Sequence, residues 1–186
     1  MNLTQATPLH HPEELVELLR KPLSKSYFCM LAGLLQSRTE LVSEVLTVIG
    51  SGKGKDPERA SWLLSNLWDI DSEVLRPFQH ELIRLLLSAR SDSVRRNLLR
   101  IIDAYPLPDE QLGDLYDVCM AWMLSERFSI AVRCNAMQIL YRICVIEPDL
   151  SDELVQRIND LLVFGSAGFQ SRGQKIIRLL KNPPNS

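Results

Sequence analysis

A basic residue that returns at a near-constant interval constrains this chain more than any other feature of its sequence. Lys25, Arg59, Arg95, Arg133 and Arg172 stand 34, 36, 38 and 39 residues apart. The last four open similar stretches. These read Pro57-Glu-Arg59-Ala-Ser-Trp-Leu-Leu, Ser93-Val-Arg95-Arg-Asn-Leu-Leu, Ala131-Val-Arg133-Cys-Asn-Ala-Met and Gln170-Ser-Arg172-Gly-Gln-Lys-Ile-Ile. A helical unit of this length cannot hide its apolar face alone and must stack on its neighbours. The expected fold is therefore all-α, an α-solenoid of about five antiparallel helix pairs. A closed helical bundle is the main competitor.

Apolar residues recur at three- and four-residue spacing through most of the chain, and breakers cut the pattern into ten helices. The expected pairs are 12–21 with 24–37, split at Pro22; 39–49 with 57–70, split by the Gly50–Lys55 run; 72–89 with 92–105; 108–126 with 129–147; and 150–164 with 168–181. Only 8 of 186 residues are Gly and 6% are aromatic, while Leu and Ile abound, which favours helices over a sheet. Residues 12–181 read as a single repeat domain, preceded by a flexible N-terminus (1–11) and followed by a disordered tail (182–186).

The residues Asp92-Ser-Val94-Arg95 and Ala131-Val132-Arg133, and more loosely Asp56-Pro-Glu-Arg59-Ala60, resemble the opening of the second helix of a HEAT repeat. Arg59-Ala-Ser-Trp-Leu63, Val118-Cys-Met-Ala-Trp122 and Ala136-Met-Gln-Ile-Leu140 are similar to stretches of a narrower group, short HEAT-like proteins of Bacteroidetes often labelled adenylosuccinate lyase. The lyase is a much longer chain, and its Ser-Ser-x-Met-Pro-x-Lys-x-Asn loop has no counterpart here. The resemblance therefore implies a fold and no activity. It also implies that Arg59, Arg95, Arg133 and Arg172 are rungs of a structural ladder, pairing with Asp or backbone carbonyls between neighbouring repeats. An Arg in the first turn of a helix opposes the helix dipole, so a compensating partner is expected for each.

Other tempting features read as structure. The Gly50-Ser-Gly-Lys-Gly-Lys55 run lacks the glycine spacing and preceding strand of a phosphate-binding loop. Cys29, Cys119, Cys134 and Cys144 show no metal-ligand spacing and sit in apolar helical stretches, as small buried hydrophobes in a reducing cytoplasm do. His10 and His11 read as solvated residues of the flexible end. Asp69, Asp71 and Glu73 read as caps for a helix starting near Ser72. Trp62 and Trp122 are expected in the core, Trp68 less firmly so. No Ser-His-Asp or Cys-His set is credible, and no stretch is long and apolar enough to span a bilayer. The expected protein is a cytoplasmic monomer with no cofactor and no metal.

Charge supplies a direction. The five second helices, taken as 24–38, 57–71, 92–105, 127–147 and 168–181, carry 13 Lys and Arg against 6 Asp and Glu. The remainder carries 8 against 17, although the whole chain is only −2. In a HEAT-like stack the second helices line the inner curve, so a concave, relatively basic face is expected. On it, opposite the core, a stripe of Leu64, Trp68, Asn97, Arg100, Asn135, Gln138, Arg142, Ile177 and Lys181 is the candidate binding surface. The expected function is a non-catalytic scaffold that engages a protein or peptide, with acidic or phosphorylated partners suited to that face. The alternative is a nucleic-acid-binding protein resembling the HEAT-like alkylpurine DNA glycosylases, against which the modest basic content argues.

Overall fold

A computed structural model of the protein describes residues 12–22 and 24–182. The expected flexible start, His10 and His11 with it, and the tail beyond Asn182 lie outside the described residues. Among the described residues all regular structure is helical: ten α-helices joined by short links and three 3-10 segments. They fall into two compact units, Met1–Pro77 and Phe78–Ser186.

The first unit holds α1 (Pro12–Arg20), α2 (Lys25–Ser37), α3 (Glu40–Ser51) and α4 (Asp56–Ile70). α4 is its centre, packed on α2, α3 and α1. Leu63, Leu64 and Leu67 of α4 are fully buried, as is Phe28 of α2, on which Trp62 stacks at 4.2 Å between ring centroids. α1 lies mainly against α3 and α4, a departure from the expected pairing with α2. The physical reason is at its last residue: Arg20 bonds the carboxylate of Asp56 at 2.7 and 3.2 Å, which ties the end of α1 to the start of α4. Between α3 and α4 the chain turns through Gly54, whose φ of +60° is the left-handed conformation that glycine adopts without strain.

The helix expected over 72–89 divides in two. Ser72–Phe78 is a 3-10 segment and α5 is Gln79–Leu87. Pro77 explains the break, since it has no N–H to donate and its ring clashes with the carbonyl four residues back in an α-helix. As expected for the acidic cluster, Asp71 caps this segment by accepting from the Glu73 N–H at 3.0 Å.

The second unit continues with α6 (Asp92–Ile102), α7 (Leu112–Leu124), α8 (Ile130–Ile146), α9 (Ser151–Leu162) and α10 (Ala167–Lys181). α5 packs on α6, α7 on α8, and α9 on α10, while the second helices stack in the order α6, α8, α10. Short 3-10 turns, Asp109–Gln111 and Pro148–Leu150, lead into α7 and α9 where the expected helices began with proline-bearing links. α9 and α10 approach closely at Gly173, where a β-carbon would lie 2.8 Å from Ile158 and 2.9 Å from Leu162.

Serine marks the start of four second helices. The hydroxyls of Ser24, Ser91, Ser129 and Ser166 each accept from the backbone N–H three residues on. With Lys55 at the head of α4, these N-caps are 31, 36, 38 and 37 residues apart and define the true register of the repeat. Counted from its N-cap, the slot of the recurring Arg is the fifth residue in sequence: Phe28, Arg59, Arg95, Arg133 and Gln170. Lys25 and Arg172 therefore do not occupy it. Arg172 falls two residues later, in the slot held by Asn97 and Asn135.

Candidate functional site

In four of its five occurrences, all but Phe28, the recurring slot performs one task. Arg59 donates to the Leu19 carbonyl at 3.0 Å, Arg95 to Ala89 at 2.7 Å, Arg133 to Met123 at 3.0 Å and Gln170 to Leu162 at 2.9 Å. Each acceptor lies in the last turn of a first helix or just past it, where carbonyls have no helical partner and the dipole is negative. The dipole conflict of a first-turn cation is thus offset by the terminus of another helix. Aromatic rings from the next pair cover these cations: Arg95 lies 5.3 Å from the Trp122 ring centre and 4.9 Å from that of Phe128, and Arg133 lies 4.6 Å from that of Phe169. Asp92 completes the link between repeats. Its carboxylate pairs with Arg95 at 3.0 Å and accepts the Ser129 N–H at 2.6 Å. Arg172 has a different partner, the side-chain oxygen of Gln138 at 2.8 Å.

The residues expected to form a binding stripe have mixed fates. Leu64 is fully buried and Asn97 is 6% exposed, so both are corrected from surface to core. Leu64 sits where α4 meets its neighbours on more than one side, and the expected Leu64–Trp68 surface patch is not formed; Trp68 is half-buried. Asn135 donates to the Arg96 carbonyl of α6 at 3.4 Å. Arg142 is spent on the end of α6, donating to the carbonyls of Ile102, Asp103 and Tyr105. Arg100 is exposed on α6. Ile177 and Lys181, through the two-residue offset of α10, correspond to Leu140 and Cys144 of α8 and do not share a face with Gln138 and Arg142. Three of the nine stripe residues, Asn135, Gln138 and Arg142, thus serve to bond second helices to one another.

Two stripe residues line an open groove. Gln138 and Arg142, with Tyr141, Val145 and Ile146 of α8, face Asp103 and the Ala104–Leu107 segment across a groove of about 760 Å³. Val145 is 61% exposed and Ile146 42%. The opposite wall is held down: Gln79 donates to the Pro106 carbonyl, and Tyr105 is buried beneath. At the groove floor burial pushes the Asp103 carboxyl above its ordinary range, and Arg142 at 3.8 Å and a hydrogen bond from Gln138 draw it partly back. Residue-type pattern did not reveal this site. Its signal was the Pro106-Leu107-Pro108 interruption beside two apolar residues, Val145 and Ile146, that close a helix out of the apolar phase.

Elsewhere the chemistry is sparse. α8 and α10 carry no acidic residue, but Arg133 is buried and Arg142 and Arg172 are bonded. The exposed cations of α10 are Lys175, Arg178 and Lys181, which form no ion pair among the described residues. Trp122 is buried as expected and Trp62 is half-buried in its stack. Cys119 and Cys144 are buried, with burial pushing the Cys144 thiol up to about 11, but contrary to expectation Cys134 is half-buried and Cys29 exposed, its thiol reaching the Asn66 side-chain oxygen of α4 at 3.8 Å. Among the described residues no group of three or more His, Cys, Asp or Glu is placed to hold a metal ion, and no helix is long and apolar enough to cross a membrane.

Comparison with the curated proteins and with the solved structures gives no match. A family model does match: that of the HEAT repeat domain, over residues 15–177. HEAT repeats generally mediate protein–protein interaction and are typically non-catalytic. The match runs from α1 into α10, through the capped and laddered helix pairs described above, and the chain belongs to the HEAT repeat domain family.

Proposed function

We propose that this protein is a non-catalytic binding module that receives a segment of a partner protein in the groove between the Ala104–Leu107 segment and the C-terminal half of α8. The groove itself carries this reading. Its volume is within the range of preformed ligand sites, about 300–1,000 Å³, and apolar walls with a few polar groups are the usual composition of such sites. Val145 and Ile146 are large aliphatic side chains left in solvent, where they lose the burial that each would gain under a partner. The expected basic inner face contributes through Gln138 and Arg142, which line the groove while their polar groups serve the stack.

A second reading rests on α10, where Lys175, Arg178 and Lys181 project within two turns and would suit the phosphates of a nucleic acid. One experiment separates the two. The full chain is used to capture partners from cell lysate with and without nuclease, beside a Val145→Ser/Ile146→Ser variant and an Arg178→Glu/Lys181→Glu variant. All four positions are exposed or nearly so, and circular dichroism checks the fold. A nuclease-resistant protein lost with the groove variant is the expected result. Nucleic acid lost with the charge-reversed variant favours the second reading, and a partner retained by both variants removes the groove from consideration.

A further inference from the structure

The chemistry around the groove selects a kind of partner, and it is the opposite of the acidic one that the basic second helices suggest. The groove opens at the edge of the second unit where α6 and α8 end. Four exposed carboxylates follow its lining residues in the chain: Glu147 and Asp149 just after Ile146, and Asp109 and Glu110 just after Leu107. Asp103 adds a fifth from within. Against them stand few cations. The guanidinium of Arg142 is committed to three carbonyls and to Asp103, and His80 sits 3.3 Å from Glu110. Arg100 lies one turn up α6 from Ala104. The helix ends reinforce the sign, because the last carbonyls of α8 present the negative pole of its dipole toward the same edge.

An apolar trough with an anionic rim complements a chain segment that carries an aliphatic or aromatic anchor beside Lys or Arg. The anchor would cover Val145, Ile146 and Tyr141, and the flanking cations would approach Glu147, Asp149, Asp109 and Glu110. We infer that the groove ligand is a basic–apolar peptide segment of another protein, an inference that rests on the proposed groove-binding function. Rim charges of this kind steer encounter and choose between partners, while the apolar contact holds them.

The test uses the full chain with two sets of short fluorescent peptides that share an apolar Leu or Phe centre, one flanked by Lys and Arg and the other by Asp and Glu. Anisotropy is measured for the unaltered protein, for Val145→Ser and for Glu147→Lys/Asp149→Lys. The expected result is that the basic set binds at least about tenfold tighter than the acidic set, that rim reversal removes or inverts this preference, and that Val145→Ser weakens binding of both sets. Tighter binding of the acidic set that still depends on Val145 overturns the inference but keeps the groove. Basic peptides that bind regardless of the rim reversal overturn it as well. Binding of neither set, or binding indifferent to Val145→Ser, overturns the inference together with the groove reading beneath it.

Discussion

At the scale of single residues, Arg133 and Asp92 each tie one element of the second unit to another. Arg133 is buried, bonded to the end of α7 and covered by Phe169. Arg133→Ala leaves a carbonyl without its donor and a void beneath a ring, and is expected to cost about 2–4 kcal/mol in denaturant unfolding. Arg172→Ala removes one bond to a side-chain amide and is expected to cost about 1 kcal/mol or less by the same measurement. Equal losses would show that the sequence-spaced Arg set is one class after all. Asp92 makes a prediction in pH. Desolvation pushes its carboxyl up, but bonds from Ser129 and Arg95 outweigh this and the net shift is downward. A carboxylate with a depressed folded pKa stabilises above its unfolded value, near 4, and loses that contribution as pH falls through the folded value. The stability advantage of the native protein over Asp92→Asn, followed by thermal melting, is therefore expected at pH 6 and to shrink below about pH 4.

At the scale of elements, the helices were legible because apolar spacing and N-capping are local. The serines before α6 and α8 announce helix starts, and outside the fifth segment observed ends fall within a few residues of those expected. Two features were not legible. Nothing in the local pattern says that Pro77 would divide the fifth segment into a 3-10 turn and a helix. The register of α10 is the other, because the Arg spacing points to Arg172 while the backbone is capped at Ser166, and a neutral Gln170 performs the helix-ending bond that Arg performs elsewhere. The site was less legible still, since exposure of Val145 and commitment of Arg142 depend on what α6 brings to them. The α9–α10 contact offers its own test. Gly173→Val would drive branched methyls into Ile158 and Leu162, and is expected to destabilise by about 1–3 kcal/mol, read as a lower denaturation midpoint. A neutral outcome would mean that these two helices are not held as close as described.

At the scale of the molecule, the proposed function rests on which surfaces the stack leaves unfilled. α10 shows this on one side. Counted from the N-caps, Gln174 and Lys181 hold the positions of Met137 and Cys144, which α8 buries. The polar replacements leave this face of α10 in solvent where α8 packs. The groove shows it on another, where apolar side chains stay uncovered among carboxylates.

Gln138 joins these surfaces, because one amide accepts from Arg172, bonds Asp103 and lines the groove. If the groove takes a segment as proposed, occupancy and rigidity are expected to be reciprocal: a segment that fixes the orientation of that amide steadies α10, and by linkage a loosened α10 weakens the hold on the segment by the same factor. Deuterium uptake gives the readout. A groove ligand is expected to slow amide exchange in α10, which it does not touch, and Gln138→Ala is expected to abolish this remote protection even at ligand concentrations that keep the groove filled. Protection of α10 that survives the substitution would show that the coupling runs through the packed helices instead.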